Sequence, residues 1–307
     1  MLSRVANQLY WYGRYLERVE CTARLIRVNA NLLLDLPREV EIGWMPLVEI
    51  LGLDAEFARL DQPADERHVV RFLTLDEKNP SSLISCIASA RTNLRSTRDI
   101  VARELWEQTN QLHLMMRDSN AAALRQKHDF LTRIIMDVNT ITGLSYSVMS
   151  SDLAFQFMRL GANLERADMT TRILDIRAED LLLPGDSAID SQFDNILWMS
   201  VLKSLSAYQL YRQHVRKRVS GPDVLRYLLQ DQRHPRSLAF CIDRLKAGLG
   251  RLPDHEAPLQ HVTKLSTRVN KAPVKKLAGK AMADFLDDIQ VDLHGVHDAI
   301  TQRYFDA

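Results

Sequence analysis

Apolar residues in the first thirty positions fall at Val5, Leu9, Tyr12, Leu16, Val19, Ala23 and Ile26. The alternating spacing of four and three keeps them on one stripe of an α-helix for about six turns. A stripe that long predicts a helix lying against a partner surface. Pro37 is expected to close the segment, because proline lacks an N–H and clashes with the preceding turn. Helical periodicity recurs over 44–59, 80–107, 121–148, 150–181, 192–213, 235–250 and 275–304. Breaks are expected at 35–43, 60–65, 182–191, 218–222 and 251–258. No pair of alternating runs bounded by turn dipeptides marks a hairpin, so the pattern predicts an all-α fold.

The chain also resembles itself. Residues 13–24 read GRYLERVECTAR and residues 161–172 read GANLERADMTTR. Gly13/Gly161, Leu16/Leu164, Glu17/Glu165, Arg18/Arg166, Thr22/Thr170 and Arg24/Arg172 are identical at an offset of 148. Residues 72–87 match 227–242 at an offset of 155, through Leu73/Leu228, Asp76/Asp231, Pro80/Pro235, Ser82/Ser237, Leu83/Leu238, Cys86/Cys241 and Ile87/Ile242. Trp44-Met45 matches Trp198-Met199 at 154. Self-similarity in constant order predicts a duplicated unit. The expectation is one domain over 1–307, an internally duplicated helical bundle with pseudo-two-fold symmetry, its halves at about 1–148 and 149–307. Pro80 and Pro235 suit the first position of a helix, with Asn79 as an N-cap and His234 as a poorer one. Ser82 and Ser237 are expected to help satisfy the same helix N-termini.

Composition narrows the function classes. Of 307 residues, 46% are hydrophobic and 26% charged, so there is ample apolar surface for a core. Glycine, at 11, and proline, at 10, are too few for a turn-rich β fold or a Gly-rich nucleotide site. The formal net charge of +1 lacks the basic excess of a dedicated DNA binder. Cys21, Cys86 and Cys241 are odd in number and far apart. That argues against a disulfide framework and for a reducing compartment. No run approaches the ~18 apolar residues of a membrane span, and the N-terminus has no signal-like apolar stretch. A cytoplasmic protein away from membranes is expected.

Candidate chemistry centres on the repeated Glu-Arg motif. Glu17 and Arg24 lie close on the helical wheel, as do Arg14, Arg18 and Cys21, and the strip is flanked by apolar positions on both sides. A charged strip on such a helix faces an interior groove rather than open water. The second copy carries Glu165, Arg166 and Arg172, but Arg14 becomes Ala162. Two readings stand side by side. In one, facing Glu-Arg sites bind a polar ligand through Arg14, Arg18, Arg24, Arg166 and Arg172, or use Glu17 or Glu165 as a general base. In the other, the same residues form a buried ion-pair network that sets helix register, as the i,i+4 spacings Glu20–Arg24 and Asp168–Arg172 allow.

Arg91, Arg95 and Arg98 are expected on one helix face, where guanidiniums suit phosphates and carboxylates, although a solvated charged face is the plainer reading. His294 and His297 lack a third strong ligand, so no metal site is expected. Cys86 and Cys241 read as small core residues. The basic stretch 268–280 suits a solvated linker or an acidic or RNA partner.

Residues 2–26 (LSRVANQLYWYGRYLERVECTARLI), 79–110 (NPSSLISCIASARTNLRSTRDIVARELWEQTN), 157–175 (FMRLGANLERADMTTRILD) and the terminal RYF (303–305) resemble the bacterial alpha-E domain family over essentially the whole chain. The resemblance implies an α-helical domain whose Glu-Arg motifs here are Glu17-Arg18 and Glu165-Arg166. It carries over Arg91, Arg95, Arg98 and Trp106 less securely. It further implies an association with a circularly permuted ATP-grasp ligase and a transglutaminase-like peptidase, encoded alongside or fused. ATP and Mg²⁺ would then belong to the ligase, and this chain would need no cofactor of its own. The leading expectation is an accessory or binding component of a peptide- or amide-forming system, presenting a charged interhelical groove to the ligase, its peptide or amino-acid acceptor substrate or the product, with the Arg91, Arg95 and Arg98 face binding acidic groups. The alternatives are a stand-alone enzyme using Glu17 or Glu165 on an amide or amino-acid-like substrate, and a helical RNA-binding or scaffold module. Homo-oligomerisation is left open.

Overall fold

The computed structural model describes residues 1–36, 42–119, 123–182, 188–277 and 279–306, with the side chains of 177–182 and 188–192 omitted. Fourteen α-helices and no strands occur among the described residues. Two long helices, α1 (Ser3–Asp35) and α8 (Leu153–Leu182), cross at the centre. Between them run α2 (Met45–Ile50), α3 (Asp54–Ala58), α4 (Glu66–Thr74), α5 (Leu83–Ser96), α6 (Arg103–Arg117) and α7 (Lys127–Val148). After α8 come α9 (Ala188–Ser204), α10 (Tyr208–Val215), α11 (Gly221–Gln230), α12 (Leu238–Leu249), α13 (Glu256–Lys271) and α14 (Lys280–Tyr304).

The predicted stripe on α1 holds. Leu9, Tyr12, Leu16, Val19, Ala23 and Ile26 are buried, as are Leu25, Val28 and Leu32 on a second side. A helix apolar on two sides needs cover from several directions, and α1 packs against α8, α5 and α7. For the same reason α8 packs against α1, α12 and α14. The crossing is close because two glycines sit in it. A Cβ added to Gly13 would lie 2.1 Å from the Met158 carbonyl oxygen, and one added to Gly161 would lie 1.9 Å from that of Tyr10. Tyr10 and Met158 are themselves 148 positions apart, the offset of the sequence repeat.

Several expected boundaries move. The stretch 80–107 is two helices, α5 and α6, separated at 97–102. The stretch 44–59 divides at Gly52, whose φ of +65° ends α2, and 192–213 divides at Ser206, with φ of +53°. Asn79 and His234 are not the caps of α5 and α12. Ser82 Oγ accepts from the Ser85 amide at 3.3 Å and Ser237 Oγ from the Phe240 amide at 3.2 Å, so the prolines lie in the turn before each helix. Asn79 is buried and ties that turn down, with Nδ2 donating to the Phe72 carbonyl at 3.0 Å and Oδ1 accepting from Ser81 N at 2.9 Å. Pro37 and residues 183–187 of the expected break at 182–191 lie outside the described residues.

Candidate functional site

The charged strips of α1 and α8 meet face to face across the glycine crossing. Arg166 grips Glu17 bidentately, Nε to Oε1 at 2.9 Å and Nη2 to Oε2 at 2.6 Å. Arg18 Nε donates to Glu165 Oε1 at 2.6 Å. Each Glu of one motif is therefore bound by the Arg of the other. The pairing places Glu17, Arg18, Glu165 and Arg166 together, as two facing Glu-Arg sites require.

Each carboxylate also has a second arginine, and the two second arginines come from different places. Glu165 Oε2 accepts from Arg14 Nε at 2.6 Å. The Arg14 guanidinium lies 4.9 Å from the Trp11 ring centroid, within cation–π range. Glu17 Oε1 instead accepts from Arg236 Nη1 at 2.5 Å. Arg236 stands in the turn before α12 and also donates from Nη2 to Glu20 Oε2 at 2.6 Å. Glu20 is further paired with Arg24, and Asp168 with Arg172 at 2.9 Å, the two i,i+4 pairs expected from spacing. Sequence reasoning missed Arg236. Its only signal was Pro235 in the second repeated segment, where the first copy has Ser81 in place of an arginine.

Burial and charge act in opposite directions here. Burial alone would raise Glu17, but Arg166 and then Arg236 override it and hold the carboxyl at about 2. For Glu165 the same burial is overridden by Arg14 and Arg18, again to about 2. Arg18 and Arg166 are correspondingly raised despite burial, by Glu165 and Glu17. A carboxylate held this far down, with both oxygens on guanidiniums, is a weak proton acceptor near neutral pH. As a set, Arg14, Arg18, Arg24, Arg166, Arg172 and Arg236 are six guanidiniums facing four carboxylates, Glu17, Glu20, Glu165 and Asp168.

Glu17, Glu20 and Cys21 bring three ligand-type atoms within 4.8 Å of one another. Arg236 occupies that space, with its Nη1 3.2 Å from Cys21 Sγ, so the donor set is already committed to a guanidinium. Burial pushes the Cys21 thiol well up. Cys86 and Cys241 are buried core thiols, raised by burial to about 12.

The three-arginine face does not form as expected. Arg98 falls beyond the end of α5, exposed and 3.9 Å from Asp99. Arg95 is exposed on α5. Arg91 is half-buried, donating to Asn110 Oδ1 at 2.7 Å with its guanidinium 5.5 Å from the Trp106 ring centroid. His297 Nδ1 lies 2.9 Å from the Tyr10 hydroxyl and stacks on that ring. Within 268–280, Arg268 pairs with Asp288 and Asp292, Lys275 with Asp223 at 2.6 Å and Lys280 with Asp284 at 3.1 Å, so much of that positive charge is met locally. No helix is long and apolar enough to cross a membrane among the described residues.

Residues 1–305 match a family model described as "a predicted alpha-helical domain with a conserved ER motif". Uncharacterized proteins of Mycobacterium bovis and of two strains of Mycobacterium tuberculosis are each 23% identical over 332 residues, covering 97% of this chain. The chain spans only 36% of the length of those relatives. No solved structure matches it.

Proposed function

The chain belongs to the Alpha-E family, and from that premise we propose that it is a rigid, non-catalytic binding component of a peptide- or amide-forming system. In this reading it presents a charged interhelical surface to a circularly permuted ATP-grasp ligase, or to that ligase's acceptor or product, and works beside a transglutaminase-like peptidase. ATP and Mg²⁺ chemistry belongs to the ligase. The observation that carries the reading is that Glu17 is bound to Arg166 and Glu165 to Arg18, so each motif's charges are met by the other's. A motif whose charges are mutually satisfied builds a body instead of attacking a substrate. The greater length of the mycobacterial relatives also supports a module that acts alongside further sequence.

Duplication is part of the proposal. The reciprocal Gly13–Met158 and Gly161–Tyr10 approaches, the reciprocal Glu-Arg pairs and the matched Ser82 and Ser237 caps support two halves of common origin. A cytoplasmic location goes with the three free thiols.

The test is co-purification with a circularly permuted ATP-grasp ligase from the same genome, comparing wild type with Arg91→Ala/Arg95→Ala. The proposal expects a complex and a change in ligase turnover when the chain is added, both weakened in the variant. No complex and unchanged turnover would refute it. Turnover by the chain alone, abolished by Glu17→Gln with an intact melting temperature, would assign Glu17 as a base instead.

A further inference from the structure

Ala162 stands 148 positions after Arg14 and borders a cavity of about 60 Å³ between α1, α7 and α8, beside the Glu17–Arg166 pair. Ala162, Arg166, Arg159, Thr142, Tyr146 and Phe155 line it. That volume holds a few water-sized groups, about the size of a carboxylate with two or three carbons.

The charge around the cavity is not balanced. Arg159 is half-buried and lines it, its guanidinium 4.9 Å from the Tyr146 ring centroid and 5.6 Å from that of Phe155. No carboxylate pairs with Arg159 among the described residues. Burial lowers its pKa, Tyr146 opposes that, and Arg244, Arg166 and Arg251 lower it further. Arg166 commits Nε and Nη2 to Glu17, while Nη1 makes only a 3.5 Å contact to the Pro235 carbonyl. Glu17 also borders the cavity, but its charge is met by Arg166 and Arg236. The neighbouring network already has more guanidiniums than carboxylates. A half-buried surplus of cations favours uptake of an anion.

We infer that this cavity is a binding site for a small carboxylate carried on an apolar stem, such as the C-terminal carboxylate of a peptide. The Arg159 fork matches the two carboxylate oxygens. Thr142 lines the same space, and Leu16, Ile141 and Met158 supply its apolar lining for the stem. A planar carboxylate on carbon suits a small, partly apolar cavity better than a tetrahedral oxyanion with hydrated oxygens on every side. The inference stands whether or not a ligase partner exists.

The experiment is calorimetric titration of the full chain with sodium propionate, its uncharged isostere propionamide, and inorganic phosphate at matched ionic strength. Saturable propionate binding is expected, with no binding of propionamide and phosphate at least tenfold weaker. Arg159→Met, which keeps the stem, should weaken propionate at least tenfold, and Arg159→Lys should weaken it while keeping the charge. A wild-type readout covers variants that fail to fold. Propionate should slow phenylglyoxal modification of Arg159, followed by mass spectrometry, and leave that of exposed Arg95 unchanged. Absence of propionate binding, equal binding by Arg159→Met, tighter binding of phosphate, or no protection of Arg159 would each overturn the assignment.

Discussion

The two central carboxylates have the same fate and different supports. Glu165 takes both its cations from one helix, Arg14 and Arg18 on α1, with Arg14 stacked against Trp11. Glu17 takes one from α8, Arg166, and one from the turn before α12, Arg236, which reaches on to Glu20. A buried carboxylate needs two partners at either end, because one guanidinium leaves lone pairs and charge uncompensated. The second partner is positioned independently: in the matched segments Ala162 stands opposite Arg14 and Ser81 opposite Arg236. The Glu17 end thereby joins three elements and the Glu165 end only two.

The strongest way to break this comparison is to remove the shared donor. Arg236→Met leaves Glu17 and Glu20 each short of a partner in a buried site, and should cost about 3–5 kcal/mol in urea unfolding. Arg14→Met leaves Glu165 still held by Arg18 and should cost roughly half as much. Equal losses would show that the two ends are energetically alike. Next in size is the crossing itself. Gly13→Ala and Gly161→Ala both force a methyl against a backbone carbonyl and should cost at least about 1–3 kcal/mol each. Here the two ends should respond alike, and a large difference in urea midpoint between the two variants would contradict the shared geometry.

Acid unfolding sharpens the comparison further. Glu17 and Glu165 sit at about 2 in the fold against an ordinary 4.5, since arginine contacts override burial. As pH falls the unfolded chain takes up those protons first, so this stability is full above about pH 4.5 and lost on descending to pH 2. His234, the counterpart of Asn79, adds a separate limb. Burial first, then Arg236, lowers it to about 4 from 6.5. The folded ring stays neutral while the unfolded ring protonates, so stability falls from pH 6.5 to 4 and this loss is complete below pH 4. His234→Asn should remove the upper limb and leave the lower one, measured as denaturation midpoint against pH. The smallest effect is expected at the exposed rim. Arg95→Ala should change stability by no more than about 0.5 kcal/mol.

Much of this was legible in the chain. The four-three spacing marks α1 because core-facing side chains must recur at the helical period. The pairs Glu20–Arg24 and Asp168–Arg172 were readable because i,i+4 partners share one face whatever surrounds the helix. Helix ends were read less well. Asn79 and Ser82 are both good caps, and the turn built by Asn79 and Pro80 decides that Ser82 does the capping. Arg98 was placed on a face it does not reach, because nothing in its local pattern marks the end of α5 at Ser96.

By itself the sequence determined the all-α class, the long first helix and the presence of two matched Glu-Arg motifs. These depend on local period and identity alone. Only the tertiary structure decided which arginine meets which carboxylate. Arg236 lies 219 residues from Glu17, and no periodicity connects them. The same holds for the cavity at Ala162, which side chains of α1, α7 and α8 line together and which no single stretch of the chain marks.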